Sequence, residues 1–296
     1  LTVIANLHVV LAQGAIPVFA DIQLDSFNID PADVRKKITH KTKAIMVVPI
    51  YGAPCDYDEI HKISIETGVP VINDAAQSPL AVYKGQPIAE LFDITSFSFD
   101  ATKHMTTGDG GMITTLKEAT ATKIRKFGCL GYKALAADDG RVRSNKDIFQ
   151  DPYYSRHDDI GLNYRMSEFQ AAVGLAQVEN LEKFVDLRRQ IASEYSQIIR
   201  SCDFLIPQKI TNSCEARHNH AYWTYACRMV HPDITWHEFR STFMKFGGSG
   251  IYAAWKLLYQ EDVFKNGNWK KRDPEIYKNV KYENCKVAEL VQPQLM

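Results

Sequence analysis

Short, continuous apolar runs recur through the first half of the chain, bounded by turn residues and separated by amphipathic stretches. Lys43-Ala-Ile-Met-Val-Val-Pro-Ile50 is a run of the kind buried on both faces of a parallel sheet. A second run spans 69–73, and residues 57–67 between the two predict a helix that Gly68 closes. Strand, helix and strand at this spacing form a crossover unit, so residues 44–74 are expected to be parallel and right-handed. Ala15-Ile-Pro-Val-Phe-Ala-Asp-Ile22 reads as another short buried strand. Asp30-Pro31 predicts a helix over 31–38, with Asp as N-cap and Pro at the first helical position. Strands near 93–99 and 111–115 continue the sheet, and a helix follows near 117–127.

From Tyr132 to Asp159 apolar residues thin out, and a polar stretch this long reads as a functional or disordered loop rather than a simple connector. Ser167-Glu-Phe-Gln170 is a capping box. It opens a helical pattern (Phe169, Ala172, Val173, Leu175, Ala176, Val178, Leu181, Phe184) expected to run as one long helix to about Arg200. Beyond it the signals mix, with aromatics at Tyr222, Trp223, Tyr225 and Trp255. A boundary near residue 185 is expected, separating a large α/β domain over 1–185 from a smaller α+β domain over 186–296.

Composition narrows the function classes. The 296 residues are 45% hydrophobic, with 35 Lys+Arg against 35 Asp+Glu, so no global field attracts nucleic acid or an anionic membrane. Arg35-Lys-Lys37 and Lys270-Lys-Arg272 are short enough to be solvated patches. The six cysteines form no Cys-x-x-Cys pair, which suits a reducing cytoplasm rather than a disulfide framework or zinc site. No apolar run approaches the roughly 18 residues needed to span a bilayer. The apolar start over 1–12 lacks the basic region of a signal peptide and an initiator Met. The chain is therefore expected to begin inside a longer protein.

The candidate chemistry lies in two segments. Val69-Pro-Val-Ile-Asn-Asp-Ala-Ala-Gln-Ser78 delivers a carboxylate, Asp74, at the end of a strand. Phe97-Ser-Phe-Asp-Ala-Thr-Lys103 delivers a lysine just after another strand, and Gly108, Gly110 and Gly111 follow as a tight turn. A carboxylate for a protonated pyridine nitrogen and a lysine for a Schiff base are the groups that pyridoxal phosphate chemistry needs most. Ser98, five residues before the lysine, could bind phosphate. Taken singly, Asp74 is an ordinary turn residue and Lys103 an ordinary surface lysine; the order of the pieces carries the signal.

That order, with Gly14-Ala-Ile-Pro-Val-Phe-Ala-Asp21, Ile38-Thr-His-Lys-Thr-Lys-Ala-Ile45, Tyr51-Gly-Ala-Pro54 and Gly161-Leu-Asn-Tyr-Arg-Met-Ser-Glu-Phe-Gln-Ala-Ala172, closely resembles the DegT/DnrJ/EryC1/StrS sugar aminotransferases. The resemblance is dense over about 1–185 and looser beyond, where Gly250-Ile-Tyr-Ala-Ala-Trp255 is the best echo. It implies a fold-type I enzyme, with a mostly parallel sheet sandwiched by helices, that binds pyridoxal 5'-phosphate and transaminates a keto group on a nucleotide-linked sugar. Glutamate is the implied amino donor, and a homodimer the implied active unit. Carried over, Lys103 is the Schiff-base lysine and proton shuttle, and Asp74 pairs with the pyridine nitrogen. Gln77 contacts the ring's 3'-oxygen, Ala76 packs on a ring face, Ser98 binds phosphate, and Asn163 reaches the neighbouring subunit's phosphate. Arg165 is left between an intersubunit ion pair and a substrate-phosphate contact.

The chain departs from the family pattern in two ways. It starts after the Gly-Thr/Ser segment that contributes to the phosphate cup and stops short of the usual closing residues. Val3 stands where many members have an aromatic residue over the cofactor. A related branch carries histidine in place of the lysine and dehydrates its sugar; here Lys103 is present, with His104 beside it. A non-catalytic cofactor-binding homologue is the remaining alternative. His218-Asn-His220 lacks a nearby third ligand, so no metal is expected. The aromatics from Tyr222 to Tyr225 read as small-domain core, with sugar or nucleotide contact as the other reading.

Overall fold

The computed structural model describes residues 1–136, 140–141, 147, 150–210, 219–272, 274–277, 280 and 282–296. Its centre is a four-stranded sheet in which β1 (Ile45–Val47), β2 (Val71–Asp74), β3 (Ile94–Ser98) and β4 (Gly111–Thr114) lie side by side in that order. β1 pairs parallel with β2, Ile45 opposite Val71, and β2 pairs parallel with β3, Asp74 opposite Ser96. β4 returns antiparallel, with Gly111 opposite Ser98. A Cβ at Gly111 would stand 2.7 Å from the Phe97 carbonyl oxygen, so this end of the β3–β4 pair closes only on a glycine. The architecture is α/β around a mostly parallel sheet.

The flanking helices begin where the side chains cap them. The Asp30 carboxylate accepts from Ala32 N–H (3.0 Å) at the start of α2 (Pro31–Lys37), which follows α1 (Ala5–Ala12). Asp56 caps α3 (Tyr57–Thr67) and Gly68, at φ 70°, ends it. Tyr57, Ile60 and Ile63, on one face of α3, are buried in the cluster that holds Val47 and Val71. A second core joins Leu7, Leu11 and Phe27 to Leu257, Phe264 and Val291, so both ends of the chain share apolar packing. α4 (Glu118–Phe127) follows the sheet.

Three expectations are corrected. The stretch 15–22 is extended but not a sheet strand: its single bridge joins Ile22 to Ile29, and Ile16 and Val18 are 45% and 66% exposed. Pro17 has no N–H to give a ladder, and no strand of the central sheet lies beside it. The run 43–50 is strand over only three residues, because Pro49 also lacks a donor and the chain then turns through Ile50–Gly52 with Tyr51 at φ 60°. The long helix from Ser167 is two helices, α5 (Glu168–Val178) and α6 (Leu181–Ile199). At the break, Asn180 Nδ2 donates to the Ala176 carbonyl (2.9 Å) and competes with the backbone for it.

The capping box at Ser167 is present, with Gln170 as its partner. Within the polar stretch, 135–136 pairs antiparallel with 140–141, and Tyr132 bridges to His157; residues 137–139, 142–146 and 148–149 lie outside the described residues. Later, β5 (Leu205–Pro207) pairs antiparallel with β6 (Cys227–Met229), and α7 (Trp236–Lys245) starts at a second capping box. No residue of α5 is buried: Phe169, Val173 and Leu175 are 88%, 50% and 62% exposed. Among the described residues, none covers Phe169, Val173 and Leu175 fully.

Backbone also meets backbone at Gly52, at φ 106°, where an added Cβ would stand 2.7 Å from Tyr222 N and 3.1 Å from Gln77 O. Gly52→Ala therefore forces both a disfavoured conformation and a backbone clash. It is expected to lower the urea midpoint by an amount worth about 2 kcal/mol or more.

Candidate active site

β2 ends at Asp74, at the carboxyl edge of parallel strands, where open α/β sheets bind ligands. The Asp74 carboxylate accepts from Ala76 N–H (3.2 Å) and Ser96 Oγ–H (3.3 Å) and forms no ion pair among the described residues. Ala76 thus follows directly on the carboxylate it helps to orient. Gln77, 2% exposed, accepts from Tyr51 N–H at Oε1 (2.6 Å), which leaves its NH2 as the group able to donate.

Lys103 follows β3 in a turn built by Asp100, whose carboxylate accepts from the backbone and hydroxyl of Thr102. Its Nζ lies 4.7 Å from the centroid of the Trp223 ring. Burial pulls the ammonium below the ordinary lysine range, and the negative charges of Asp100 and Asp74 oppose that pull. A half-buried amine facing an aromatic ring, with carboxylates in its field but none bonded to it, is suited to nucleophilic work.

The ring over Lys103 comes from the C-terminal third. The segment 219–224 is laid against the turn at Tyr51–Gly52: Ala221 N–H donates to Gly52 O (2.9 Å) and Trp223 N–H to Tyr51 O (2.9 Å). Two arginines of α6 hold its other side. Arg188 Nη1 donates to Trp223 O (2.9 Å), and Arg189 Nε to His220 O (3.0 Å). Trp223 Nε1–H donates to Thr102 O (2.9 Å), which ties the indole to the residue before the lysine.

Two histidines are sealed beneath this segment, His104 and His220, each 4% exposed. His104 Nε2–H donates to Ala221 O (2.9 Å), and its buried Nδ1 has no partner among the described residues. His220 stacks on Tyr222 with centroids 3.8 Å apart, and its Nδ1 accepts from Tyr222 N–H. Burial pulls His104 down to about 4 and His220 to about 3, so both are neutral at physiological pH.

The remaining candidates are dispersed. Ser98 Oγ accepts from Asp100 N–H (3.3 Å). It also lines a largely apolar cavity of about 480 Å³ between β3, β4 and helices α5 and α6, which Asp74, Gln77 and Lys103 do not line. Asn163 is exposed, bridging Cys129 through its backbone, amid Ile160, Leu162, Tyr164 and Phe169 at 83%, 46%, 69% and 88% exposure. Arg165 Nη1 donates to Cys129 Sγ (3.3 Å). His218 lies outside the described residues, and among those residues no three His, Cys, Asp or Glu side chains could hold a metal. Trp223, Tyr51 and the two arginines are partners that the spacing did not reveal. The block Tyr51-Gly-Ala-Pro54 entered only as part of the family resemblance, without saying what packs on it.

The DegT/DnrJ/EryC1/StrS aminotransferase family matches residues 1–275. GDP-perosamine synthase of Escherichia coli O157:H7 is 36% identical over 201 residues, 68% of this chain and 50% of that protein. UDP-2-acetamido-2-deoxy-3-oxo-D-glucuronate aminotransferase of Pseudomonas aeruginosa is 36% identical over 195 residues, 66% of this chain and 49% of that protein. The chain thus spans about half the length of these relatives. Among solved structures, the aminotransferase from Psychrobacter cryohalolentis superposes with a TM-score of 0.82 at 26% identity, over 99% of this chain and 72% of that one.

The buried histidines make the site acid-sensitive. An unfolded histidine takes up its proton near 6.5, whereas His104 in the folded chain resists protonation down to about 4. Their contribution to stability is therefore constant above pH 6.5 and falls as the pH drops from 6.5 towards 4. Urea denaturation across that window should show the loss, and His104→Gln, which keeps a donor for Ala221, should flatten part of it.

Proposed function

We propose, for a chain that belongs to the DegT/DnrJ/EryC1/StrS aminotransferase family, transfer of an amino group from glutamate to a keto group on a nucleotide-linked sugar, with pyridoxal 5'-phosphate as cofactor. The observation that carries this reading is the half-buried Lys103 amine at the carboxyl edge of the sheet, within the field of Asp74, which forms no ion pair among the described residues. The nucleotide-linked substrate follows from the likeness to a GDP-perosamine synthase and a UDP-linked 3-oxo-glucuronate aminotransferase.

The residues present fit the cofactor. Lys103 offers the amine for a Schiff base, Asp74 a carboxylate for the pyridine nitrogen, Gln77 an amide NH2 for the ring oxygen, Ser98 a hydroxyl for phosphate, and Ala76 a small apolar surface for the ring. The bound cofactor supplies an electron sink for the carbon whose proton is removed. Lys103 Nζ is the group that takes that proton and later returns one, a role that needs its amine neutral, as burial favours. Asp74, fixed by Ala76 N–H and Ser96 Oγ–H, would keep the ring nitrogen of a bound cofactor protonated. Trp223 covers the lysine and limits water around it. The amino group would leave glutamate as a water supplies the keto oxygen of 2-oxoglutarate, and would arrive at the sugar as the carbonyl oxygen departs in water, so no net water is used.

Asn163, in its exposed apolar strip, and the open side of α5 support a homodimer in which a second copy covers this surface and receives Asn163 near its phosphate site. Residues 1–185 are taken as the cofactor-binding unit and 186–296 as the smaller one. The five described cysteines are unbonded, and no helix among the described residues is long and apolar enough to cross a membrane, both compatible with a cytoplasmic enzyme.

The full-length protein is expected to bind pyridoxal 5'-phosphate with a visible band that glutamate converts to the pyridoxamine form. Borohydride reduction should fix the cofactor on Lys103, mapped by mass spectrometry. Lys103→Ala should lose the band and slow turnover by about 10³-fold or more. Wild-type protein that binds no cofactor, or that binds it and does not respond to glutamate, refutes the assignment. A panel of 3-keto and 4-keto sugar nucleotides offered to the pyridoxamine form identifies the substrate.

A further inference from the structure

Three aromatic rings form a column that starts beside the cofactor-binding residues and ends in solvent. Tyr51, whose N–H is held by Gln77, stacks on Trp223 with centroids 6.5 Å apart and planes within 6°. Trp223 stacks in turn on Trp255, at 5.7 Å and 28°. Tyr51 is buried, Trp223 partly buried, and Trp255 is 38% exposed, so one end of the column is open. The middle ring is not free to move: its Nε1 is bonded to Thr102 O and its own carbonyl to Arg188. The Lys103 Nζ sits against that same ring, 4.7 Å from its centroid.

A large aromatic surface left open to water next to a reactive amine is costly unless something packs on it. Packing alone accounts for Tyr51, which is buried, but not for the exposed indole of Trp255. The distances select what the occupant is. The reacting carbon must come within proton-transfer reach of Lys103, so whatever carries it passes beside Trp223. Trp223 is stacked between Tyr51 and Trp255, so the indole face left open is the outer one of Trp255, one stacking step from the ring that Lys103 faces. The nucleobase, beyond a diphosphate, would lie further out. Indole faces also suit a sugar, whose axial C–H bonds present an apolar side.

We infer that the open face of Trp255, at the end of this stack, is the surface on which the pyranose ring of the keto-sugar packs, which makes Trp255 a specificity-determining residue. This rests on the transamination proposed above, and its test reads binding separately from that activity. Full-length holoenzyme is titrated calorimetrically with two pairs of stable probes, GDP-mannose with GDP and UDP-N-acetylglucosamine with UDP. For the pair that wild type binds, Trp255→Ala should weaken the nucleotide sugar about tenfold and the free nucleotide less than about twofold. Trp255→Phe, which keeps a ring face, should stay within about threefold of wild type. Equal weakening of sugar nucleotide and nucleotide would assign the indole to the base and overturn the inference. So would unchanged binding in Trp255→Ala, or a wild type that binds neither sugar nucleotide. A holoenzyme whose spectrum ignores glutamate refutes the activity instead.

Discussion

The candidate site depends on one close approach of backbone to backbone. The segment 219–224 lies against the turn at Tyr51–Gly52, and Gly52 is where a side chain would collide with it. Through that contact Ala221 O reaches His104, Trp223 reaches Lys103, and Tyr51 N–H reaches Gln77. The first two links join residues at the central sheet's carboxyl edge to ones from the C-terminal third, and the last ties the Tyr51 turn to the segment after β2. The backbone hydrogen bonds hold the register, and Arg188 and Arg189 satisfy the carbonyls on the far side.

The same approach sets the electrostatics. Covering Lys103 with an indole removes water from the ammonium without bringing a carboxylate into contact with it. Direct pairing with an aspartate would stabilise the charged form and blunt the nucleophile. Asp74 and Asp100 act at a distance instead, one fixed by Ala76 and Ser96, the other bound to Thr102. His104 and His220 are neutral for the same reason, burial, and so add no positive charge beside the lysine. A charged histidine there would lower the lysine further and compete with it for the neighbouring carboxylates.

Against this closed interior, α5 and the strip around Asn163 present apolar side chains outward. The amphipathic pattern that predicted the helix is real, since the helix forms and its capping box is made. What the pattern implied about burial is not met within one chain. Periodicity reports which face must be covered and is silent on whether the cover is the same molecule.

Local chemistry was legible from the sequence wherever the cause was local. Asp30 and Asp56 cap α2 and α3, Gly68 ends α3, and the β1–α3–β2 unit is parallel, because caps, φ angles and apolar runs act over a few residues. The joint order of Asp74, Gln77, Ser98 and Lys103 likewise pointed to one cofactor chemistry. Failures came where a partner was decisive: 15–22 found no neighbouring strand, the run to Ile50 met a donorless Pro49, and Asn180 broke a helix by bonding Ala176. Only the tertiary structure could place Trp223 over Lys103. Its indole is bonded to Thr102 across 121 residues, and His104 to Ala221 across 117. No pattern along the chain encodes such pairs, because they form only after the cores from both ends have packed and a glycine has let two backbones meet.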